Sequence, residues 1–380
     1  MEQADPIESM PIRLGPLGLT PTITVTNFGI DSNVFNDPVD PKSDFTFTAT
    51  PTMTARLRSG RLLVGGALSS GLVYYQQFDD ERSIDYTAQG RVDLDLGWFR
   101  PFGRAERVDT RDRLSLELDI RAPRVSILAE GGARAVVSPK TGFTFAARRT
   151  SVTFDQASVF DGVFLSETLN SRTNVFEAGL ELYLTPLTTM TMLVSRQEDR
   201  FEAAPERNSD SLRVMPTLRL DAPAIIQGSL AVGYRRFNGI DPGLPDYRGL
   251  VFKGSLSHVI AERTKVGVSI ARDVEYSFER LEPYYLTTGA RLTVNHQLRD
   301  TIDLRAAAAR DRLDYQGQPT LPALTTERRD HVELVSAGFG YLLRPNVRVG
   351  LDLEYSRRRS HRFDRQYDRT RLLGSASYGF

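Results

Sequence analysis

The sequence predicts an all-β fold, a closed antiparallel transmembrane β-barrel of about 18 strands, within a range of about 16–18. Three observations predict it. Apolar and polar residues alternate with a period of two rather than 3.6. The alternating segments are about 10–15 residues long, whereas a tilted membrane strand needs ~9–11 and strands generally average ~5–6. Finally, tight turns and long polar loops follow one another along the chain.

The segment 347–356 illustrates the alternation, because every odd position is apolar and every even position is polar or glycine. Segments 84–98 and 265–276 follow the same pattern. One face of such a strand meets lipid and the other meets water. A barrel therefore needs no apolar stretch of ~20 residues, which is what a membrane helix requires and what this sequence lacks.

The connections divide the chain into eighteen candidate strands, with the segment 110–123 open to interpretation as a strand or an extended loop. The strands are predicted near 20–29, 44–58, 61–78, 84–99, 101–111, 124–138, 141–154, 173–185, 187–201, 209–221, 225–237, 247–259, 263–277, 284–298, 301–315, 330–343, 346–357 and 369–380. The tight connections are predicted at Arg100-Pro101, Pro139-Lys140, Pro186, 221–223, Ala261-Glu262, Arg299-Asp300 and Arg344-Pro345. The long ones span 30–43, 155–172, 201–210, 238–246, 279–282, 316–329 and 357–368.

Outer-membrane barrels have short periplasmic turns and long extracellular loops. We therefore expect a periplasmic N-terminal extension at residues 1–19 and an outer-membrane barrel at residues 20–380. The first ten residues lack the basic start and apolar run of a secretion signal. We expect the numbering to describe a mature form with an initiator Met1, located in the bacterial outer membrane.

Proteolysis of intact cells tests this orientation. We expect a surface protease to cut within 155–172 and to leave the chain near Pro186 intact, because only the long loops would face the medium. Protection of 155–172 together with cutting near Pro186 would invert the topology.

Composition excludes several classes of function. The chain has 48 basic and 48 acidic residues, and this balance does not point to a nucleic-acid partner. It has no cysteine, so disulfides and zinc–thiolate sites are excluded. The sequence also lacks metal-ligand spacings of histidine and glycine motifs that bind phosphate. We therefore expect no metal and no cofactor.

Charged residues crowd the face predicted to line the lumen. For any single residue, the simpler interpretation is a pair with an opposite charge on the next strand. For the whole set, the better interpretation is a hydrophilic conduit, since a barrel of ~16–18 strands leaves an aqueous lumen. The candidate lumen-facing residues are Asp85, Arg91, Asp93, Asp95, Lys265, Asp273, Glu275, Asp303, Arg305, Arg348, Asp352 and Glu354.

Two other features of the sequence suggest hypotheses about assembly and catalysis. Tyr378 and Phe380 share one face of the last strand, and this ending resembles the signal that the barrel-assembly machinery recognises. The alternative is that both are lipid-facing aromatic residues at the membrane interface. His331 follows Asp330 beside a long loop, a very weak match to the acid–histidine pairs of barrel hydrolases, so we expect no enzyme.

The octapeptide Gly29-Ile30-Asp31-Ser32-Asn33-Val34-Phe35-Asn36 follows the first strand. It resembles the opening signature of the outer-membrane family called β-barrel porin 2, although that family often has tyrosine at the position of Ile30. Further segments that resemble the family are SRQEDRF (195–201), DSLRV (210–214), VGYRRFN (232–238), DPGLPDYRGLV (241–251) and RDVEYSFE (272–279).

The resemblance implies a non-enzymatic channel that exports a secreted polysaccharide, and the family brings no catalytic residues with it. The expected partners are outer-membrane lipid, the barrel-assembly machinery and periplasmic polysaccharide-export proteins. Two alternatives stay open. A general diffusion porin for small hydrophilic solutes would need a loop folded into the lumen, for which 155–172 is the candidate. A surface hydrolase would need a serine or aspartate close to His331.

Overall fold

The computed structural model of the protein describes residues 10–222, 224–317 and 328–379. Eighteen long antiparallel strands pair with their neighbours in chain order, and the last pairs with the first to close a barrel. The predicted fold class is therefore confirmed. The strands are β1 Ile12–Leu14, β2 Leu17–Asp31, β3 Asp44–Ser59, β4 Leu62–Tyr75, β5 Ser83–Leu94, β6 Phe99–Thr110, β7 Arg124–Ser138, β8 Thr141–Phe154, β9 Val159–Phe160, β10 Val163–Phe164, β11 Ser171–Thr185, β12 Thr188–Phe201, β13 Ser209–Leu220, β14 Ile226–Gly239, β15 Tyr247–Ile260, β16 Thr264–Tyr276, β17 Tyr284–Arg299, β18 Ile302–Gln316, β19 Arg329–Arg344, β20 Val347–Arg359 and β21 Tyr367–Gly379.

The barrel wall consists of β2–β8 and β11–β21, with β8 paired to β11. A sheet is stable in lipid only when it is closed, because every open edge would leave backbone N–H and C=O groups unpaired at a cost of several kcal/mol each. The short strands lie outside the wall: β1 forms a hairpin with the start of β2, and β9 pairs with β10 in a loop. One short helix, α1, spans Leu165–Leu169. No described helix is long and apolar enough to cross a membrane.

The long connections lie together at one end of the barrel, which we call the loop end, and the short ones lie at the other, the turn end. Most predicted tight turns fall at the turn end. Pro223 of the turn at 221–223 and most of the long loop predicted at 316–329 lie outside the described residues. The turn predicted at Arg100-Pro101 is wrong, because the chain turns at 95–98 and Pro101 lies within β6, paired with Ala133. Residues 17–19 of the expected extension already belong to β2.

The two faces of each wall strand differ as the alternation predicts. On β18 and β20, Leu304, Leu351 and Leu353 are exposed on the outer surface, with Leu353 52% exposed. The residues between them carry charges that pair across strands inside the barrel, such as Arg305 with Asp352. The outer face of these strands is therefore the lipid face, and the inner face lines the lumen.

Two neighbouring alanines of β18 test this assignment. Ala306 lies on the outer face and pairs with Ala337, whereas Ala307 lies on the inner face and pairs with Ser336. We expect Ala306→Arg to destabilise the folded barrel by ~2–4 kcal/mol near the bilayer midplane. Ala307→Arg should cost much less, because its guanidinium reaches the aqueous lumen. Equilibrium unfolding in lipid vesicles measures both, and equal losses would contradict the assignment of faces.

The alternation breaks down at the loop end of the β16–β17 hairpin. Four consecutive residues, Tyr284, Tyr285, Leu286 and Thr287, are all buried. Here β15 and β16 stop pairing beyond Phe252 and Arg272, although both strands continue. The tip of the hairpin separates from β15 and bends inward, while β17 stays paired with β18 up to Tyr284. One face packs against Phe237 and the other against Tyr315, so both faces meet protein.

Candidate functional site in the lumen

A loop folded into the barrel closes off much of the loop end. Residues 111–123, which we call the plug segment, leave the wall between β6 and β7 and form no strand. On one side Arg121 donates to the hydroxyls of Tyr75 and Ser83, at 3.3 and 3.1 Å. On the other side Glu117 accepts a hydrogen bond from the Ser277 hydroxyl at 2.6 Å. Ser277 follows β16, the eighth strand after β6 around the ring (β7, β8, β11–β16), so the plug segment spans the lumen.

Arg358 of β20 anchors the plug segment. Its side chain is fully buried. One guanidinium nitrogen donates to the carbonyls of Leu116 and Glu117 at 3.1 and 3.2 Å and to the Asp119 carboxylate at 2.8 Å. The other donates to the Asp330 carboxylate at 2.6 Å. The planar fork of arginine suits this set of acceptors, and a lysine would satisfy fewer of them.

A second buried arginine stands behind the first. Arg328 shares the Asp330 carboxylate with Arg358, at 3.0 Å, and stacks on the Tyr315 ring at 3.9 Å from its centroid. It also pairs with Glu282 at 3.2 Å, in the loop that joins β16 and β17. Charges this deeply buried are tolerated only when they are paired and hydrogen-bonded. The wall strand β19 and the β16–β17 loop are therefore tied together beneath the plug segment.

The plug segment also contributes to a small apolar core inside the barrel. Leu118 of the plug segment, Leu165 of α1 and Phe278 of the β16–β17 loop are each at most 2% exposed. They pack together in one cluster, which also contains Ala122, Phe154 and Leu169. The loop 155–172, predicted as the constriction, therefore packs against the plug segment through α1.

Further loops converge on residues 277–283. Arg207, buried in the loop after β12, donates to the carbonyls of Ser277 and Glu279. Arg362 in the loop after β20 pairs with Glu279 at 2.6 Å and with Asp161 at 2.9 Å. Loops from several sides of the ring are thus cross-linked over the lumen by arginines that bind carboxylates and carbonyls.

We expect the plug segment to respond to pH through Glu117. Burial raises the pKa of this carboxyl from 4.5 to about 7, against the opposing effect of Arg328 and Arg358. The folded plug thus favours the protonated form. The stabilisation that Glu117 gives the folded plug segment is complete below about pH 4.5 and is lost as the pH rises through about 7. We expect channel conductance, measured in planar bilayers, to rise between about pH 5 and pH 8. A Glu117→Gln variant should lose this pH dependence, and an unchanged profile would contradict the assignment.

Below the plug segment, one wall of the lumen carries fully paired charges. Arg348 binds Asp303 at 2.5 Å, and Arg305 binds Asp352 at 3.1 Å. Glu354 pairs with Arg371 on the next strand. These contacts join β18, β20 and β21 on the inner face, so this wall is hydrophilic without an excess of either charge.

A second part of the lumen wall, at β3–β6, is separated from β21 only by β2 and carries an excess of arginine. Strand register places Arg56, Gly65, Arg91 and Arg104 side by side on β3–β6. They line a recess of about 550 Å³, and the missing side chain of Gly65 leaves space between the arginines. Arg91 is held by Asp93 at 2.7 Å and Arg104 by Glu106. Arg56 makes no hydrogen bond or ion pair with any described residue.

The structure places the remaining predicted site residues in different settings. Asp273 lies inside the barrel and pairs with Arg235 and Arg213 at 2.7 and 2.9 Å, and Glu275 accepts a hydrogen bond from Tyr285 at 2.9 Å. Asp85 accepts one from Thr110 at 3.0 Å. Lys265 is exposed near the turn end of β16. Asp95 corrects the prediction: it lies in the turn after β5 and pairs with Arg100 at 3.2 Å, so it is not part of a strand.

The features that suggested catalysis do not come together as a site, and the assembly signal stays a prediction. Asp330 points inward to Arg358, whereas His331 lies on the outer face of β19, because successive residues of a strand point to opposite faces. No acid–histidine pair forms there. Tyr378 lies on the outer face of β21, paired in register with Ile23, and Phe380 lies outside the described residues. Within the described ranges, no group of acidic and histidine side chains is arranged to hold a metal ion.

Comparison with known families identifies the chain. A family model described as "Putative beta-barrel porin 2" matches residues 5–376, nearly the whole sequence. The chain belongs to this family. The protein is thus an outer-membrane β-barrel porin, a channel of the bacterial outer membrane, as its closed ring of amphipathic strands predicted. A comparison with curated proteins finds no match for the porin.

Several solved structures are similar to the porin, among them one described as an outer membrane protein. OpdK from Pseudomonas aeruginosa, solved with vanillate, has a TM-score of 0.52 and 11% identity over 95% of this chain and 99% of its own. OpdO from the same organism has a TM-score of 0.52, 14% identity, and coverage of 95% and 97%. OccAB3 from Acinetobacter baumannii has a TM-score of 0.51, 9% identity, and coverage of 95% and 99%. At this identity the likeness shows the fold alone. Polysaccharide export finds no support in these comparisons, and the porin alternative fits them better.

Proposed function

We propose that this porin is a non-enzymatic channel through which small hydrophilic solutes, preferentially anions, diffuse across the outer membrane. The observation that carries the proposal is the plug segment. A loop folded into the lumen narrows a barrel that would otherwise be wide, and narrowing is what a channel for small solutes needs. A polymer exit would instead require the plug segment to leave the four acceptors that Arg358 holds.

The preference for anions rests on the unequal net charge of two neighbouring parts of the lumen wall. The wall at β18–β21 is neutralised by pairs such as Arg348 with Asp303. On the wall at β3–β6, Arg56 has no acidic partner among the described residues. Its exposed guanidinium faces the same recess as Arg91 and Arg104. Rings or clusters of arginine favour anions in pores because they replace part of the hydration of the ion.

Planar bilayers and liposomes test this function. We expect the reversal potential in a KCl gradient to show selectivity for chloride, and liposomes to take up small sugars and small organic anions but not dextran. Arg56→Gln should reduce the anion selectivity. Arg348→Gln is the matched control, since it removes the same charge from the other wall, where Asp303 keeps Arg305 at 3.6 Å.

The same experiments can reject the proposal. Cation selectivity, or an equal effect of the two variants, would remove the role of the arginine recess. Passage of dextran with exclusion of small solutes would favour a polymer exit. In cells, deletion of the gene should slow the uptake of small solutes and leave secreted polymer unchanged. Loss of secreted polymer with unchanged solute uptake would instead support polysaccharide export.

A further inference from the structure

The outer surface of β18–β21 carries a dense group of basic side chains at the loop end. They point away from the lumen, because they have the same strand parity as the exposed Leu304, Val335 and Leu353. We call this group the arginine face. It consists of Arg310, Arg312, Arg329, His331, Arg357 and Arg359, with Asp314, Glu333 and Asp368 among them.

Strand register arranges the arginine face in rows. One row runs Arg310, Glu333, Arg357 and Asp368, and the next row toward the loop end runs Arg312, His331 and Arg359. With strands ~4.8 Å apart and ~3.4 Å per residue, the four arginines at the corners enclose a rectangle of about 10 by 7 Å. One phosphorylated sugar headgroup can cover an area of this size.

The height of the rows matches a membrane interface. The row just below them contains Ala308, Val335 and Tyr355, and Val335 and Tyr355 are exposed on the lipid face. The Tyr355 hydroxyl hydrogen-bonds to the Asp368 carboxylate at 2.5 Å. A tyrosine with its ring toward lipid and its hydroxyl toward charge marks the boundary of the hydrocarbon region. The arginine rows therefore begin at the depth of the lipid headgroups.

The charges of the arginine face are only partly neutralised. Five arginines share three carboxylates. Asp314 lies close to two of them, Arg312 at 2.7 Å and Arg329 at 2.8 Å. The other contacts are longer: 3.5 Å from Arg310 to Glu333, and 3.4 and 3.9 Å from Asp368 to Arg359 and Arg357.

Three nitrogen donors or acceptors within the arginine face are shielded from solvent and have no hydrogen-bond partner. They are Nε of Arg312, Nδ1 of His331 and Nε of Arg357. Shielded polar atoms in folded proteins are normally satisfied. Guanidinium groups that keep unused donors beside an interface have the chemistry for forked bonds to phosphate oxygens.

We propose that the arginine face is a binding site for a phosphate-bearing glycolipid of the outer leaflet. The phosphate lies between Arg312, His331 and Arg359, and the acyl chains extend along the apolar rows below. The site rests on the orientation that puts the long loops outside the cell, and it is independent of which solute the lumen passes. It would fix the porin laterally to the anionic lipid around it.

Native mass spectrometry of the full chain in detergent tests the site, with bisphosphorylated lipid A as the probe. We expect the wild-type protein to retain the lipid and a variant with R310Q, R312Q, R357Q and R359Q to bind it at least about tenfold more weakly. Lipid A without phosphates should bind both proteins equally weakly. The matched control, R196Q with R200Q, R236Q and R248Q, removes four arginines at the loop ends of β12, β14 and β15 and should bind like the wild type.

Other results would overturn the site. Equal lipid binding by the wild-type protein and by the fourfold variant of β18 and β20 would do so. An equal loss of lipid binding in the control variant would also do so. Displacement of the lipid by inorganic phosphate at matching concentration would assign the arginines to the free ion. If the fourfold variant fails to form a barrel, the double variant R312Q/R359Q carries the test. Lysine at the same two positions should restore part of the affinity, because it keeps the charge and loses the forked bonds.

Discussion

Deleting most of the plug segment should convert a constricted channel into a wide one. If residues 113–121 are replaced by a short glycine–serine linker, we expect single-channel conductance in planar bilayers to rise at least about twofold, because an 18-stranded barrel encloses an aqueous lumen once nothing fills it. The deletion should leave the wall intact. Thr110 and Arg124 pair directly across β6 and β7, so a short turn can join the two strands.

The deletion should also change what the channel excludes. Solutes too large for the wild-type protein should pass the variant, and the anion selectivity from the recess at Arg56, Arg91 and Arg104 should weaken as the lumen widens. Replacing the exposed residues 155–157 with glycine and serine is the control, since these residues make no part of the apolar core around Leu118. If the deletion leaves conductance unchanged, the constriction lies elsewhere in the lumen.

The wall of the barrel could be predicted almost strand by strand from the sequence. A strand that separates lipid from water must alternate, so the period of two is visible wherever both solvents are present. The turn after β5 was misplaced for a related reason. Leu96 and Trp98 continue the apolar alternation past Leu94, although the chain turns there. Proline is typical of turns, yet Pro101 lies within β6.

The candidate site could be predicted only in part. Most of the predicted lumen residues lie on the inner face, because strand parity alone determines that face. The plug was not predictable in this way. LSLELDI alternates like a strand, and only its contacts with Ser277 and Arg358, which are distant in sequence, show that it is a loop. The residues that hold it, Arg358 and Asp330, are single charges in strands rich in charge. Their full burial is a tertiary property without a local signal.

The tip of the β16–β17 hairpin illustrates the same limit. Tyr284, Tyr285 and Leu286 form an apolar run that has no partner pattern in the sequence, and burial on both faces explains it. A continuous apolar run inside an otherwise alternating chain indicates a strand with protein on both sides. Such a run therefore indicates where a barrel strand is covered by protein on its outer face as well as on its inner face.

Replacing Arg358 with methionine should release the plug segment. Removing one partner of a buried ion pair costs ~3–5 kcal/mol, because the groups left behind lose their hydrogen bonds without regaining water. Here the carbonyls of Leu116 and Glu117 would lose the guanidinium donor, and Asp119 would keep only the amide of Asn36. Asp330 would keep Arg328. The barrel closes by its own strand pairs, so the lowest-energy response is local: the plug segment moves into water and the wall stays folded.

Hydrogen exchange distinguishes this local release from global unfolding. We expect amides of residues 113–121 to exchange roughly 100-fold faster or more in Arg358→Met, since ~1.4 kcal/mol corresponds to a factor of ten, while amides of β18–β20 keep their protection. Conductance should rise or fluctuate in the same samples. Arg348→Met is the matched control, because it breaks an ion pair with Asp303 on the inner wall that touches no part of the plug segment. Unchanged exchange in 113–121 would show that the apolar cluster around Leu118 and Phe278, rather than Arg358, holds the plug in place.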